Sequence, residues 1–361
     1  MKHPITSNIL SRYALTRKDI HHWLSHMNLS SSHSRSLMGY IYDTGSLSTP
    51  AKYRDLFDNT FTHASSKLKQ AVASSCDKSV KLMIQLKDNE LIEAVILREK
   101  TRISLCVSSQ VGCALGCTFC ATARMGWKRD LSCHEIIEQW LIAKDWLYHH
   151  DHTNSTISNI VFMGMGEPCQ NLKGVMAALD IFLDPWAIAI APRRITLSSS
   201  GYLEGLQAIY QKFPHINYAI SLHSTQQTSR AALMPVSRIF PLCKLLDYLK
   251  ETSQQDKKTF FIQYTLIAGV NDTTQDAQRL AEILRPIRCK INLLTFNPIE
   301  NTRFKTPDKA SVFLFGKYLK ESGYQVSIRF SKGDDIDAAC GQLITKSIAQ
   351  RSKHMIQEHR S

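Results

Sequence analysis

The sequence predicts an α/β fold: a parallel sheet with helices outside it, curled into a full or partial barrel, preceded by a small helical domain. Three observations support this prediction. From residue 102 onward, six β-rich segments alternate with segments whose apolar residues recur at helical spacing. The residues before about 80 show a helical pattern instead. The chain has 361 residues, enough for one large domain and a smaller one.

Residues 1–80 are predicted to form a helical accessory domain. Apolar residues from Ile20 to Met27 recur at helical spacing behind Thr16, a predicted N-cap with Asp19 three residues on. The basic residues of this region suit either an RNA backbone or a solvated helix face. They are Arg12, Arg17, Lys18, His21, His22, Arg35, Lys67 and Lys69.

A β-hairpin is predicted over 81–101, where it bridges to the main domain, 102–343. The six predicted strands of the main domain span 103–108, 159–164, 194–199, 217–223, 259–268 and 290–296. The helices between and after them span 134–149, 172–183, 203–212, 241–252, 274–284 and 310–322. A basic tail over 344–361 completes the chain. Parallel barrels carry their chemistry at the carboxyl ends of the strands, so we expect the site there.

Charge and cysteine content narrow the functional classes. The net charge of +13 and the pI near 9.2 favour a polyanionic partner, although a soluble basic surface has the same signature. The sequence shows neither a signal-peptide pattern at Met1–Thr6 nor an apolar run of the ~20 residues that a membrane helix needs, which predicts a cytoplasmic protein. Ten cysteines in that compartment indicate metal binding or catalysis rather than structural disulfides.

The clearest motif is the C-x3-C-x2-C run of Cys113, Cys117 and Cys120, in the loop after the first barrel strand. Three thiolates can hold a four-iron cluster and leave one iron open to a small molecule. A structural zinc normally takes four ligands, and Cys133 or His134 could supply the fourth. The spacing alone therefore leaves both metals possible.

Two further segments add to this motif. The second barrel strand ends in Met163–Pro168, where glycines allow close approach of a ligand and Glu167 can accept hydrogen bonds from an ammonium group. Far downstream, Cys340 lies between Ala339 and Gly341, so a reactant could approach its sulfur. Taken singly, Met163–Pro168 could be an ordinary loop, and Cys340 could be a buried inert thiol.

Together these segments resemble the RlmN and Cfr group of radical S-adenosylmethionine methyltransferases, which modify an adenosine in 23S rRNA. The resemblance covers about 93–343. It is carried by six ordered motifs: 106–120, 163–168, 193–198, 221–223, 297–298 and 333–343. It implies that the main domain is a partial (β/α)6 radical SAM barrel.

The resemblance also implies site residues. Cys113, Cys117 and Cys120 match the ligands of a [4Fe-4S] cluster, Cys340 matches a methyl-carrying cysteine, and Cys106 matches the partner that transiently forms a disulfide with it. Glu93 matches the proton acceptor of the family by its spacing from Cys106. The implied contacts to S-adenosylmethionine are Gly166, Glu167, Ser198, Ser221, Leu222, His223 and Asn297.

The implied reaction uses two S-adenosylmethionine molecules per turnover. C2 of adenine is electron-poor and does not attack a sulfonium methyl, so one molecule methylates Cys340 and a second yields a deoxyadenosyl radical that abstracts hydrogen from that methyl. The methylene radical adds to the ring, and Cys106 then releases the product by attacking the Cys340 sulfur. The implied partners are 23S rRNA at adenosine 2503, tRNA at adenosine 37, and an electron donor such as flavodoxin.

The sequence leaves other functions possible, and it differs from the family pattern at some positions. Methylation at C8, a zinc-bearing RNA-binding protein without turnover, and a radical enzyme acting on proteins or small molecules are the alternatives. Asp130 stands where the family has Asn, and Cys169 where Leu is common. The remaining cysteines are interpreted as structural thiols: Cys76, Cys133, Cys243 and Cys289.

Overall fold

The computed structural model describes residues 11–44, 49–99, 101–151, 156–329 and 332–343. The predicted tail, 344–361, lies outside this part of the chain. Three helices come first: α1 (Arg17–His26), α2 (Ser34–Ile41) and α3 (Ala51–Thr60). Helix α1 begins with a capping box formed by Thr16 and Asp19. The Trp23 ring packs against those of Phe57 and Phe61, with centroids 5.4 and 5.8 Å apart, so the apolar face of α1 is buried against α3.

In the described part of the chain ten strands form one sheet, which begins with an antiparallel section. Its strands are β1 (Lys67–Ala73), β2 (Val80–Gln85), β3 (Leu91–Glu99) and β4 (Arg102–Cys106). The predicted hairpin corresponds to β2 and β3. Strand β1 was not predicted and falls inside the segment assigned to the helical domain; the division into domains itself stays a prediction. A separate hairpin of β5 (Gln110–Gly112) and β6 (Trp127–Asp130) was also not predicted.

From β4 onward every neighbouring pair of strands is parallel. The further strands are β7 (Ile157–Phe162), β8 (Ile195–Ser199), β9 (Asn217–Ser221), β10 (Phe260–Leu266), β11 (Cys289–Thr295) and β12 (Val326–Arg329). The six predicted strands are therefore confirmed, and β12 is an addition. Among the described strands, β12 does not pair with β1, so the barrel stays partial.

Helices connect the parallel strands, as parallel pairing requires. They are α4 (Ala121–Arg124), α5 (Cys133–His150), α6 (Leu172–Leu183), α7 (Leu203–Lys212), α8 (Gln227–Leu233), α9 (Leu242–Gln255), α10 (Thr274–Leu284) and α11 (Lys309–Glu321). All six predicted helices are present, while α4 and α8 are new. Apolar residues such as Ile160, Leu197 and Ile262 are buried on one face of the parallel strands. Because these strands are parallel, their carboxyl ends lie at one edge of the sheet. No helix in the described residues is long and apolar enough to span a membrane.

Candidate active site

The loop that carries the three-cysteine motif lies between β5 and α4. Gly112 precedes it with φ +76°, and a Cβ there would lie 1.7 Å from the carbonyl oxygen of Gly126. Only glycine fits this close crossing of two backbone segments. The amide of Cys113 donates to the same oxygen at 2.9 Å. The hairpin of β5 and β6 therefore fixes the start of the loop.

The three cysteines are all partly exposed on this loop. Burial, with a smaller contribution from the neighbouring Cys120, raises the pKa of Cys113 to about 12. Burial also holds the pKa of Cys117 well above its usual range, with Cys120 and Cys113 adding to the effect. The sulfurs are thus close enough to influence one another. Within the described ranges, however, no three His, Cys, Asp or Glu side chains are gathered tightly enough for a metal site, with Cys133 and His134 included.

Glu167 lies at the carboxyl end of β7, in the turn predicted to contact a ligand. The turn needs Gly166, which has φ +95° and packs on Gln110. The Glu167 carboxylate is 4% exposed and accepts hydrogen bonds from the amides of Cys169, at 3.0 Å, and Ser200, at 2.9 Å. Its own amide donates to the Gln110 side chain at 2.8 Å. These bonds hold a buried acid at the strand edge.

Three of the predicted contacts continue from strand β9: Ser221 ends it, and Leu222 and His223 follow. His223 has φ +54°, and its Nδ1 accepts the Thr265 amide at 2.9 Å, so in the neutral ring the proton lies on Nε2. Burial lowers the pKa of His223 to about 3, helped by Arg230. The ring meets Phe119 of the cysteine loop edge-on, with centroids 5.0 Å apart. His223 is therefore a neutral donor beside the cysteines.

Arg230 of α8 is a site residue that the sequence did not reveal. It is 1% exposed and donates to the carbonyl oxygens of Ser200, Ser221 and Leu222 at 2.8 to 3.0 Å. The Ser237 hydroxyl accepts a further bond at 3.0 Å. Burial lowers the pKa of Arg230 to about 10, while Cys117 acts in the opposite direction. This cation joins the ends of β8 and β9 next to the cysteine loop.

The Cys340 segment, defined as residues 332–343, lies against the cysteine loop. The amide of Ala121 donates to the Gly341 carbonyl at 2.6 Å, and the Thr122 hydroxyl donates to Leu343 at 2.6 Å. The side chain of Asn297, another predicted contact, donates to the Cys340 carbonyl at 2.9 Å. Residues far apart in sequence are therefore brought together at this edge.

Cys106 and Cys340 are near each other at this edge. Cys106 ends β4 and is buried; burial raises its pKa, and Cys340 adds to the rise. Cys340 is exposed, yet the surrounding protein raises its pKa, with Arg329 opposing, as for a side chain inside a cleft. The expected disulfide is not supported, since all ten cysteines lie in the described residues and all are free. The thiols couple electrostatically without a bond between them.

Glu93 is fully buried in β3. Cys106 pairs with Val95 in the antiparallel register, so Glu93, two residues from Val95, lies on the same face of the sheet as Cys106. Lys81 pairs with Val95 from the other side. Its Nζ is 4.0 Å from a carboxylate oxygen of Glu93 and donates to the carbonyl of Asp337 at 3.0 Å. Lys81 is a second residue that the sequence did not reveal.

Two of the basic residues considered for RNA are engaged inside the protein. Arg12 is buried and pairs with Asp58 at 2.6 Å, and Arg17 pairs with Asp184 at 2.6 Å while stacking on Trp186. The first bond ties the segment before α1 to α3, and the second ties α1 to the end of α6. The remaining members of the set are exposed: Lys18, His21, His22, Arg35, Lys67 and Lys69.

Comparison with known proteins identifies the family. No family profile matches the chain. The chain is 37% identical to the dual-specificity RNA methyltransferase RlmN of Syntrophobacter fumaroxidans over 338 residues, which cover 92% of this chain and 97% of that protein. The chain belongs to the RlmN family. Another RlmN protein, from Marinomonas, is 39% identical over 71% of this chain and 70% of its own length.

The fold agrees with this RlmN membership. The crystal structure of a radical SAM methyltransferase from Sphaerobacter thermophilus superposes with a TM-score of 0.86 at 30% identity, covering 92% of this chain and 99% of that one. The barrel predicted from the sequence is thereby confirmed as a radical SAM methyltransferase fold.

Proposed function

We propose that this RlmN-family protein methylates C2 of an adenine in RNA through a methyl group carried on Cys340. The observation that carries the proposal is the meeting of Cys340 and Cys106 beside the cysteine loop. Neither a structural metal site nor a radical enzyme that leaves its own cysteines unmodified needs two further thiols at this position. The proposed substrates are 23S rRNA and tRNA.

The donor set fits a [4Fe-4S] cluster. Cys113, Cys117 and Cys120 offer three thiols on one partly exposed loop, and three thiolates leave one iron open. The zinc alternative is weaker because a structural zinc normally takes four protein ligands, whereas the loop offers three thiols.

The edge around the loop fits S-adenosylmethionine. Glu167 provides a buried carboxylate for the ammonium group of the methionine moiety, and the Nε2–H of His223 provides a neutral donor. The other proposed contacts are Gly166, Ser198, Ser221, Leu222 and Asn297. When bound, the cluster and two S-adenosylmethionine molecules per turnover supply the methyl group, the hydrogen-abstracting radical and a one-electron sink.

The protein's own residues perform the remaining steps. The Cys340 sulfur accepts a methyl group and, after hydrogen abstraction, carries the methylene that bonds to the adenine carbon. Glu93 takes the proton from that carbon, and the C–H electron pair restores the aromatic ring. The Cys106 thiolate attacks the Cys340 sulfur: an S–S bond forms, the S–C bond breaks, and its electron pair takes up a proton to complete the product methyl.

The S–S bond formed in each turnover needs two electrons and two protons to return both thiols. An external reductant such as flavodoxin is the proposed donor. The free state of Cys106 and Cys340 is the reduced form from which this cycle would start.

Methylation of C8 is the second candidate, because the same residues could serve either carbon. The Cys-Ala-Leu-Gly-Cys and Met-Gly-Met-Gly-Glu-Pro sequences favour C2, the carbon that the resemblance to RlmN implies. Mass spectrometry of rRNA from cells that carry the gene separates the two isomers, and an exclusively C8 product would contradict the proposal.

Peptide mass spectrometry of anaerobically purified protein tests whether the Cys340 sulfur carries a methyl group. We expect a methyl or methylene mass on Cys340 and loss of RNA methylation in Cys340→Ala. Cys243→Ala is the matched control, since Cys243 is an exposed thiol on α9. A Cys340 that stays unmodified after iron-loaded enzyme is incubated with S-adenosylmethionine would refute the mechanism.

A further inference from the structure

Lys81 lies between apolar residues in strand β2, which ends at Gln85. Its neighbours in β2 are Val80, Leu82, Met83 and Ile84, and Lys81 itself is only 2% exposed. Removing an ammonium group from water is costly unless it is paired and hydrogen-bonded. An exposed RNA backbone cannot reach a side chain this deeply buried. The reason for the lysine must therefore lie among the groups around it.

The Lys81 ammonium lies near two groups of the proposed catalytic apparatus. The first is the carboxylate of Glu93, at 4.0 Å, which is fully buried. The second is the carbonyl of Asp337, at 3.0 Å, in the Cys340 segment. Asp337 has φ +50°, a left-handed conformation, and the buried Ala338 and Ala339 lead from it directly to Cys340.

We propose that Lys81 is a positioning residue that keeps Glu93 ionised and fixes the Cys340 segment over it. A fully buried carboxylate without a nearby cation takes up a proton and cannot accept another. The ammonium of Lys81 favours the charged form. Its bond to Asp337 ties that charge to the segment whose cysteine carries the reacting carbon.

This inference rests on the proposed function, in which Glu93 removes the proton from the adenine carbon after the methylene has bonded to it. If Glu93 were protonated, addition to the ring would still occur. The ring could not lose its proton, so Cys106 would have no aromatic product to release. A covalent adduct between Cys340 and the RNA would therefore accumulate.

The test uses the full-length, iron-loaded protein, S-adenosylmethionine and a 23S rRNA fragment in an anaerobic single turnover. Denaturing gels measure the protein–RNA adduct, and mass spectrometry of the digested RNA measures methyladenine. In Lys81→Met we expect the adduct to form and to be released about ten-fold more slowly or worse. Lys81→Arg keeps the positive charge, so it should restore most of the release rate.

The control variants separate this inference from the proposed function. Glu93→Gln should stall at the same adduct, and the double variant Lys81→Met/Glu93→Gln should be no slower than Glu93→Gln alone, since both changes disable one group. Normal release in Glu93→Gln would refute the role of Glu93. A stalled Glu93→Gln beside a normally releasing Lys81→Met would refute only the role of Lys81.

If Lys81→Met only impairs folding, the result differs from the one expected for a positioning residue. Thermal unfolding and iron content are measured for each variant. A Lys81→Met protein that forms neither adduct nor product, and that Lys81→Arg does not rescue, would assign Lys81 to folding alone and overturn the inference.

Discussion

The cysteine loop and the Cys340 segment meet at the same edge of the sheet but are positioned in different ways. The start of the loop is held by a short-range contact, the Gly112–Gly126 crossing within one hairpin, while its later residues also bond to Leu233 and to the Cys340 segment. The Cys340 segment contains one short turn, and its contacts come from distant parts of the chain, including Asp77, Lys81 and Asn297. A contact within one hairpin should persist when distant residues are changed. The position of the Cys340 segment, by contrast, should depend on each of its long-range hydrogen bonds.

The largest expected effect tests this short-range contact. In Gly112→Ala the new Cβ would collide with the Gly126 carbonyl, and φ +76° is strained for alanine. We expect the free energy of unfolding to fall by about 4 kcal/mol and iron binding to be lost. Urea unfolding and iron content measure this. Gly126→Ala is the control: it has φ +69° but no atom within 4 Å, so it should cost only about 1 kcal/mol. Equal losses of unfolding free energy in the two variants would contradict the proposed role of the close backbone contact at Gly112.

Arg230→Met tests the connection between the ends of β8 and β9 beside the loop. The variant leaves the carbonyls of Ser200, Ser221 and Leu222 without their buried donor. We expect a loss of about 3 kcal/mol in urea unfolding. Arg238→Met changes an exposed arginine nearby and should stay within about 0.5 kcal/mol. A similar small effect for both would show that Arg230 does not hold the strand ends.

Asp77→Ala tests one tether of the Cys340 segment. The Asp77 carboxylate accepts the amides of Gly333, at 2.7 Å, and Ser79, at 2.9 Å. We expect a loss of about 1.5 kcal/mol and faster hydrogen exchange in 333–343, with 113–120 unchanged. Asp308→Ala removes the N-cap of α11, so it controls for general destabilisation. Faster exchange in both regions would contradict independent positioning.

The smallest expected effect is the pH-dependent loss of stability when Glu135, which pairs with Arg129 of the β5–β6 hairpin, is replaced. Burial would raise the pKa of Glu135, but hydrogen bonds from Arg129 and Ser132 outweigh it and lower this pKa below 4.5. The stabilisation is therefore present above pH 4.5 and lost as pH falls through the folded-state pKa. Glu135→Gln should cost about 1 kcal/mol at pH 7 and nothing in acid. Urea unfolding at several pH values measures this, and a constant difference would contradict it.

Periodicity predicted most of the barrel. Helices α6, α7 and α10 have the predicted bounds, because each carries an apolar stripe that its own sequence encodes. Strand β1 escaped prediction because its mixed polar sequence, Lys67–Ala73, is extended only by pairing with β2. The short helix α8 and the hairpin of β5 and β6 were missed for a similar reason, since few residues give little periodic signal.

The residues of the candidate site also divide into those that local sequence predicted and those that it did not. Spacing alone drew attention to Cys113, Cys117 and Cys120, because the ligands of a metal loop are close in sequence. The resemblance suggested Cys106, Cys340 and Glu93, whose roles stay predictions. The cation beside Glu93 was not foreseen, since an isolated lysine in a strand looks like a solvent-facing residue.

By itself, the sequence determined the order of strands and helices and the position of the cysteine loop, because these depend on residues within one or two turns of each other. Only the tertiary structure decided which partners the buried charges have. Lys81 and Asp337 are 256 residues apart, and Arg230 collects carbonyls from two strands. Such contacts exist only after the sheet has brought its strand ends to one edge, so no local pattern could encode them.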